Sequence, residues 1–323
     1  MTQTSNDWKQ GQKKVVLVIY YSQTGQLLRI LQSMLSPLAG VGDAEVIWRE
    51  VRAKPPYPFP WPVPKFLDAF PESVLMEPCE IETLQLDALP PVDLVILAYQ
   101  VWYLAPSIPI SSFLRSADAT VLRGKPVITV VNGRDKWISA QEKVKQALRD
   151  LGAQLIDNVA FIHAGSPFQH TVTTLRWLWT GKKEAFGSFP SAGVSEADIQ
   201  GAPRFGVAIR QALEQGTWNN GQPILRGLGA VEVDGDTILQ EGIARPIFWT
   251  WATWVRAAGR LGRPVRAVML LLFGACLLSL LVIAAPIVLV YRIFFAPFQR
   301  EQTAKRIAYY EQPSGSSKEK VRS

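Results

Sequence analysis

The residues best suited to chemistry stand near the start of the chain: Ser22, Gln23, Thr24, Gly25 and Gln26. An apolar run, Val15 to Tyr21, leads into them, and Leu27, Leu28, Ile30 and Leu31 follow at helical spacing. The pattern is a buried strand, a short loop and a helix start. Amide N–H groups at a helix N-terminus lack intrahelical partners, the helix dipole favours an anion, and Gly25 permits close approach. This loop is therefore built to hold a phosphate.

The elements that must position it alternate between strand and helix. Ala44 to Val51, Val92 to Ala98, Pro126 to Val131 and Gln154 to His163 read as further strands. Ser107 to Arg115, Ser139 to Leu151 and Pro203 to Leu213 read as helices, with Ser139 as a possible N-cap and Gly152 ending its helix. Near-continuous apolar strands alternating with helices predict an α/β fold, a doubly wound five-stranded parallel sheet covered on both faces. Ligands of such sheets sit at the carboxyl ends of the strands, beside the topological switch point. Lys54 to Pro64 (KPPYPFPWPVP) breaks regular structure and reads as a stiff, aromatic surface loop. Ser166 to Pro190, with His170, Arg176, Trp177 and Trp179, reads as a long insertion, either a lid or a packed surface loop.

Ala267 to Val290 carries no charge and exceeds the roughly 20 residues that cross a bilayer, which predicts a C-terminal transmembrane helix. Ile247 to Arg266, rich in Trp and Arg, reads as an interfacial amphipathic helix before it. Arginine flanks both ends of the apolar run, so the positive-inside rule sets no orientation. The resulting division is a disordered N-terminus (1–12), an α/β domain (13–216) with insertions at 54–90 and 166–196, and a linker or β extension (217–246). The interfacial helix (247–266), the membrane segment (267–297) and a polar tail (298–323) follow. The net charge of +7 lies largely in the C-terminal quarter, which favours a membrane surface over nucleic acid, and no basic-aromatic repeat supports nucleic-acid binding. Two cysteines, Cys79 and Cys276, make a disulfide framework improbable. The start has no apolar core of a signal peptide. The expected location is the inner (cytoplasmic) membrane, with a single C-terminal anchor and the α/β domain facing the cytoplasm.

Three pieces in order resemble the flavodoxin-like FMN proteins. Ser22-Gln23-Thr24-Gly25-Gln26 is close to that family's phosphate loop, S/T-x-T-G-x-T. Val95 to Phe113 (VILAYQVWYLAPSIPISSF) looks like the family's loop after the third strand, whose aromatic segment contacts the flavin ring. Val130 to Trp137 (VVNGRDKW) stands at the position of the loop after the fourth strand. The resemblance implies FMN as cofactor. It assigns Ser22, Gln23, Thr24, Gly25 and Gln26 to the phosphate, and Gln100, Val101, Trp102, Tyr103, Asn132, Gly133 and Trp137 to the rest. Leu27 departs from the pattern, replacing the last hydroxyl and removing one side-chain donor. YYSQTGQL opening a domain of this size also resembles the flavodoxin-like proteins named dialkylresorcinol condensing enzymes, which are encoded beside a ketosynthase. That resemblance implies oxidative aromatisation of a dialkyl cyclohexane-1,3-dione, a lipid-like substrate, a ketosynthase partner, and quinone or oxygen as final electron acceptor.

Such an aromatisation removes two electrons and two protons. His170, Arg134 and Asp135 are the candidate catalytic residues, His170 as proton carrier and the ion pair as contact to flavin or enolate. A salt bridge that only shapes its turn remains the other reading of Arg134 and Asp135. His163, at the end of the fifth strand, reads as a structural histidine. No metal site is expected. The alternatives are a membrane-tethered electron carrier and a flavin-free scaffold.

Overall fold

Six of the seven residues of β1 (Lys14–Tyr20) are buried, as expected of a strand with a helical layer on each face. The computed structural model of the chain describes residues 13–39, 44–163, 166–294 and 299–316. The expected disordered segment 1–12 and the end of the tail, 317–323, lie outside the described residues. Helix α1 (Gln26–Leu35) follows β1 and buries Leu27, Ile30, Leu31, Met34 and Leu35, a single apolar stripe at helical spacing. Then come β2 (Ala44–Glu50), the short helices α2 (Val63–Asp68) and α3 (Phe70–Val74), β3 (Leu94–Trp102), β4 (Ala105–Pro106) and α4 (Ile108–Phe113). They are followed by β5 (Pro126–Gly133), α5 (Ile138–Asp150), β6 (Gln154–Ile162), α6 (Pro167–Thr180), α7 (Glu196–Gly201) and α8 (Pro203–Gln215). Helices α9 (Gly235–Arg260), α10 (Arg263–Phe294) and α11 (Arg300–Glu311) complete the chain.

The sheet runs β2-β1-β3-β5-β6 with every neighbouring pair parallel, and β4 turns back antiparallel on the end of β3. Leaving out that two-residue hairpin, the order is 2-1-3-4-5, the flavodoxin-like doubly wound arrangement. The chain steps to one side of β1 for β2 and to the other for β3. The crevice at the carboxyl ends of β1 and β3 is thus the switch point, and the Ser22–Gln26 loop opens there.

Several boundaries differ from the sequence reading. β3 runs on to Trp102 because β4 pairs with its end (Val101 with Pro106, Trp102 with Ala105). Ser166 to Pro190 is not a loop: its first half is α6, started by a capping box between Ser166 and Gln169. Ser139 is not the N-cap of α5. Trp137 holds that position without a side-chain bond, and Glu241 of α9 accepts from the Ile138 and Ser139 amides at 2.9 and 2.6 Å. The last part of the expected linker, from Gly235 on, and most of the interfacial helix merge into α9, which breaks at Leu261-Gly262 before α10. α10 is one helix long and apolar enough to cross a membrane by length and composition. The described part of the tail is not free. Ile307 and Tyr310 pack on the main core, and the Asn158 amide donates to Ser314 Oγ at 2.7 Å.

Helix α8 crosses α1 so closely that Gly206 has no room for a side chain. A Cβ there would collide with the Met34 carbonyl and stand 2.8 Å from Cδ of Pro37. Gly206→Ala should therefore lower unfolding free energy by about 1–3 kcal/mol, the usual cost of overpacking, read by denaturant titration.

Candidate functional site

The carboxyl ends of β1, β3 and β5 enclose a cavity of about 260 Å³. Gln23, Thr24 and Gln26 line it from the first loop, Gln100, Val101, Trp102 and Tyr103 from the second, and Asn132, Gly133, Arg134 and Asp135 from the third. The three loops read from sequence thus converge on one space. Trp61, Phe66, Lys136, His163, Trp177, Leu178, Phe248 and Leu277 complete the walls.

The first loop leaves one polar group open beside the N-terminus of α1. Gly25 adopts φ 76° and caps α1 without any side-chain bond. The Thr24 hydroxyl is buried and has no hydrogen-bond partner among the described residues. A buried hydroxyl without a partner is costly, so its place beside a helix N-terminus points to an anionic ligand. The other side chains are committed elsewhere. Ser22 Oγ accepts from the Leu28 amide at 3.2 Å. Gln23 accepts from Trp61 Nε1 at 3.0 Å and donates to the Pro58 carbonyl at 2.9 Å. Gln26 holds the Val194 backbone from both sides. Leu27 is fully buried in the main core, so the departure from the phosphate motif strengthens packing and leaves the loop's inner surface to Thr24 and the amides.

The Lys54 to Pro64 segment is an aromatic surface loop, as expected, and it sends Trp61 into the cavity wall. Trp61 is buried, and Tyr57, Trp61 and Tyr21 all meet Trp102 edge to face, with ring centroids 5.0, 5.3 and 5.7 Å away. Tyr103 turns from this cluster toward Phe66 and Phe70, donating its hydroxyl to the Phe66 carbonyl at 2.8 Å. Tyr103 and Leu104 form the β3–β4 turn at φ 47° and 62°. Such φ values in two bulky residues store backbone strain, a feature that concentrates at functional sites.

Two sequence-based candidates lie elsewhere. Trp137 is packed in the main core and does not reach the cavity, because the N-cap position of α5 turns it into the layer beneath. His170, one turn into α6, is buried behind His163 and lines a second, neighbouring cleft. His163, read as structural, is the histidine on the cavity wall. The two rings stand 6.3 Å apart, nearly perpendicular. Burial, with His170 and Arg134 adding to it, pushes His163 down to about 3, so its ring is neutral at ordinary pH. The signal that separates them is the strand end: β6 delivers residue 163 to the carboxyl edge, where the fold places ligands.

Arg134, Asp135 and Lys136 form a compact ion triad, with Asp135 accepting from Arg134 at 2.9 Å and from Lys136 at 2.6 Å. Burial pulls the Asp135 carboxyl upward, but the two cations outweigh it and hold it at about 2. Two cations around one carboxylate leave the wall with net positive charge. Among the described residues no acid, histidine or cysteine cluster is suited to a metal ion.

No family model matches the chain, and no curated protein sequence does. Solved structures with a similar arrangement include proteins named flavoproteins. One is a flavoprotein in complex with FMN from Lactobacillus acidophilus, at 18% identity, covering 46% of this chain and 93% of its own, with a TM-score of 0.37. Another is a putative flavoprotein from Bacteroides uniformis, at 17% identity, 52% and 99% coverage and TM-score 0.36. A WrbA-like flavodoxin from Agrobacterium tumefaciens has 11% identity, 63% and 99% coverage and TM-score 0.36. At such scores the fold assignment rests on strand order and register.

The triad has a measurable pH signature. Because the Asp135 carboxyl sits at about 2, below its ordinary 3.8, it stabilises the fold above pH 4 and loses that effect as pH falls toward 2. Relative to Asp135→Asn, the wild type should lose up to about 2.5 kcal/mol across that window, measured by denaturant titration at each pH.

Proposed function

We propose that the chain is a membrane-associated, FMN-dependent oxidoreductase that aromatises a dialkyl cyclohexane-1,3-dione to a dialkylresorcinol. The cofactor part is carried by Thr24, a buried hydroxyl without a partner among the described residues, at the glycine-led start of α1 in the switch-point crevice. That is where a flavodoxin-like fold holds FMN, and the hydroxyl and first-turn amides suit a terminal phosphate. The similar structures named flavoproteins agree with it.

When bound, FMN supplies the two-electron sink that accepts a hydride from the ring undergoing aromatisation. The chain's own residues position and polarise. Trp102 and Tyr103 wall the cavity beside the loop assigned to the flavin ring, and Arg134 and Lys136 offer positive charge to a developing enolate. A 1,3-dione is acidic by itself, so the site needs anion stabilisation more than a strong base. That suits His163 at about 3 and Asp135 at about 2, neither of which abstracts protons well near neutrality. His170 has no direct role in this scheme, since it lines the other cleft.

The lipid character of the substrate rests on the walls. Phe248 of α9 and Leu277 of α10 belong to the same cavity as Thr24, so alkyl chains meet the apolar hairpin without leaving the site. A ketosynthase is the class of enzyme that supplies such a dione, and quinone or oxygen would reoxidise the flavin.

Purified full-length protein should be yellow with bound FMN, and anaerobic addition of a dialkyl cyclohexanedione should bleach it. Thr24→Val should weaken FMN about tenfold, the value of one lost hydrogen bond to a charged group, while riboflavin binding stays unchanged. Equal loss of both flavins would remove Thr24 from the phosphate site. Retained FMN with no bleaching would leave an electron carrier, and a colourless protein that binds no flavin would leave a scaffold.

A further inference from the structure

The C-terminal tail decides how the apolar helix meets a membrane. Helix α10 begins against the domain: Arg266 binds Asp68 at 2.7 Å and Glu72 at 2.9 Å, and Phe273 stacks on Phe70 with centroids 3.6 Å apart. Phe273 also meets Phe248 and Trp251 of α9, and Arg266 approaches Gly259, so α9 and α10 form an antiparallel hairpin. The other end of α10 is Phe294. Beyond it, Thr303 packs against Gly235 at the start of α9. Tyr309 donates to Glu142 of α5 at 3.0 Å, and Ser314 donates to Asp157 of β6 at 2.7 Å.

Both flanks of α10 are therefore fixed to the same α/β domain. From Phe294 to Thr303 the chain, partly helical, reaches no more than about 24 Å. The hydrocarbon core is about 30 Å thick, and extended backbone inside it would leave its polar groups unsatisfied. The return cannot be made across a bilayer.

From this we infer that α10 does not span a membrane, and that the α9–α10 hairpin lies flat in one leaflet of an anionic bilayer, with the C-terminal tail on the same side as the α/β domain. This rests on the membrane association proposed above and replaces a crossing helix with a monotopic one. The outer face of the hairpin fits that occupant. Val268, Leu271, Leu272 and Leu278 are exposed along one stripe of α10, Leu271 at 68%. Trp254 is exposed on α9 at 54%, a residue type found at headgroup level. Arg260 and Arg263 stand exposed at the hairpin turn, where they meet anionic headgroups.

Two measurements test this on the full chain. With an epitope tag after Ser323, protease should cut tag and α/β domain in the same preparation, both in inverted membrane vesicles or both in spheroplasts. Cleavage of one with protection of the other would establish a crossing helix and overturn the inference. In flotation assays the purified protein should bind phosphatidylglycerol-containing vesicles at least tenfold more tightly than phosphatidylcholine vesicles. The double variant Leu271→Asp/Leu272→Asp should lose that binding while keeping its circular dichroism. Failure of the folded wild type to bind vesicles, or burial of the stripe in a detergent-free dimer, would equally overturn it. Flavin absorbance, read on the same samples, reports the cofactor proposal independently: loss of flavin with intact vesicle binding would sink that proposal and spare the membrane one.

Discussion

A five-stranded parallel sheet with helices on both faces leaves the protein one polar outlet, the edge where strands end and helices begin. Every residue of β5 and the first six of β3 are buried, so these two strands present no chemistry from their faces. What remains is the row of loops at the carboxyl edge, beside the N-terminus of α1, where Gly25 supplies no side-chain cap and Ser22 Oγ takes up the Leu28 amide alone. The Thr24 hydroxyl, the strained Tyr103-Leu104 turn and the Arg134–Asp135–Lys136 triad all lie along that one edge. The sheet thus fixes the site's location, and the loops supply its character.

Helix α9 ties that edge to the apolar hairpin. Glu241 reaches across to accept from the first amides of α5, the helix that follows the third site loop. Burial pushes the Glu241 carboxyl up, while those amide bonds work against the rise. Two turns later Phe248 joins the cavity wall and the cluster of Phe70 and Phe273. One helix therefore positions a site loop, closes the cavity and carries the α10 partner. The hairpin is built into the architecture of the site, so any surface that orients the hairpin also orients the cavity.

What could be read from sequence divides along the same physical line. The strands of the central sheet and the order of the three loops were legible because their signals are local: continuous apolar runs, a helical stripe in α1, glycine at the turn. The start of α6 was equally legible, since Ser166 and Gln169 form a capping box three residues apart, yet the length of the segment suggested a loop. Trp137 and His170 misled for a different reason. Both stand beside chemistry-bearing residues in sequence, but helix starts turned Trp137 into the core and His170 behind His163. The Glu241 cap and the return of Ser314 to β6 join residues more than 100 positions apart, and no local pattern announces such pairings.

The electrostatics of the site follow one sign. α1 contributes the positive end of its dipole, Arg134 and Lys136 outnumber Asp135, and His163 is kept neutral by burial beside positive charge. A wall of this kind stabilises anions and is poorly suited to pulling protons from weak acids. The proposed phosphate and the proposed enolate would pose the same electrostatic problem to this one edge of the sheet. Leu27 fills the core where the motif has a hydroxyl, so the open side-chain hydroxyl of the loop is that of Thr24, beside the N-terminus of α1.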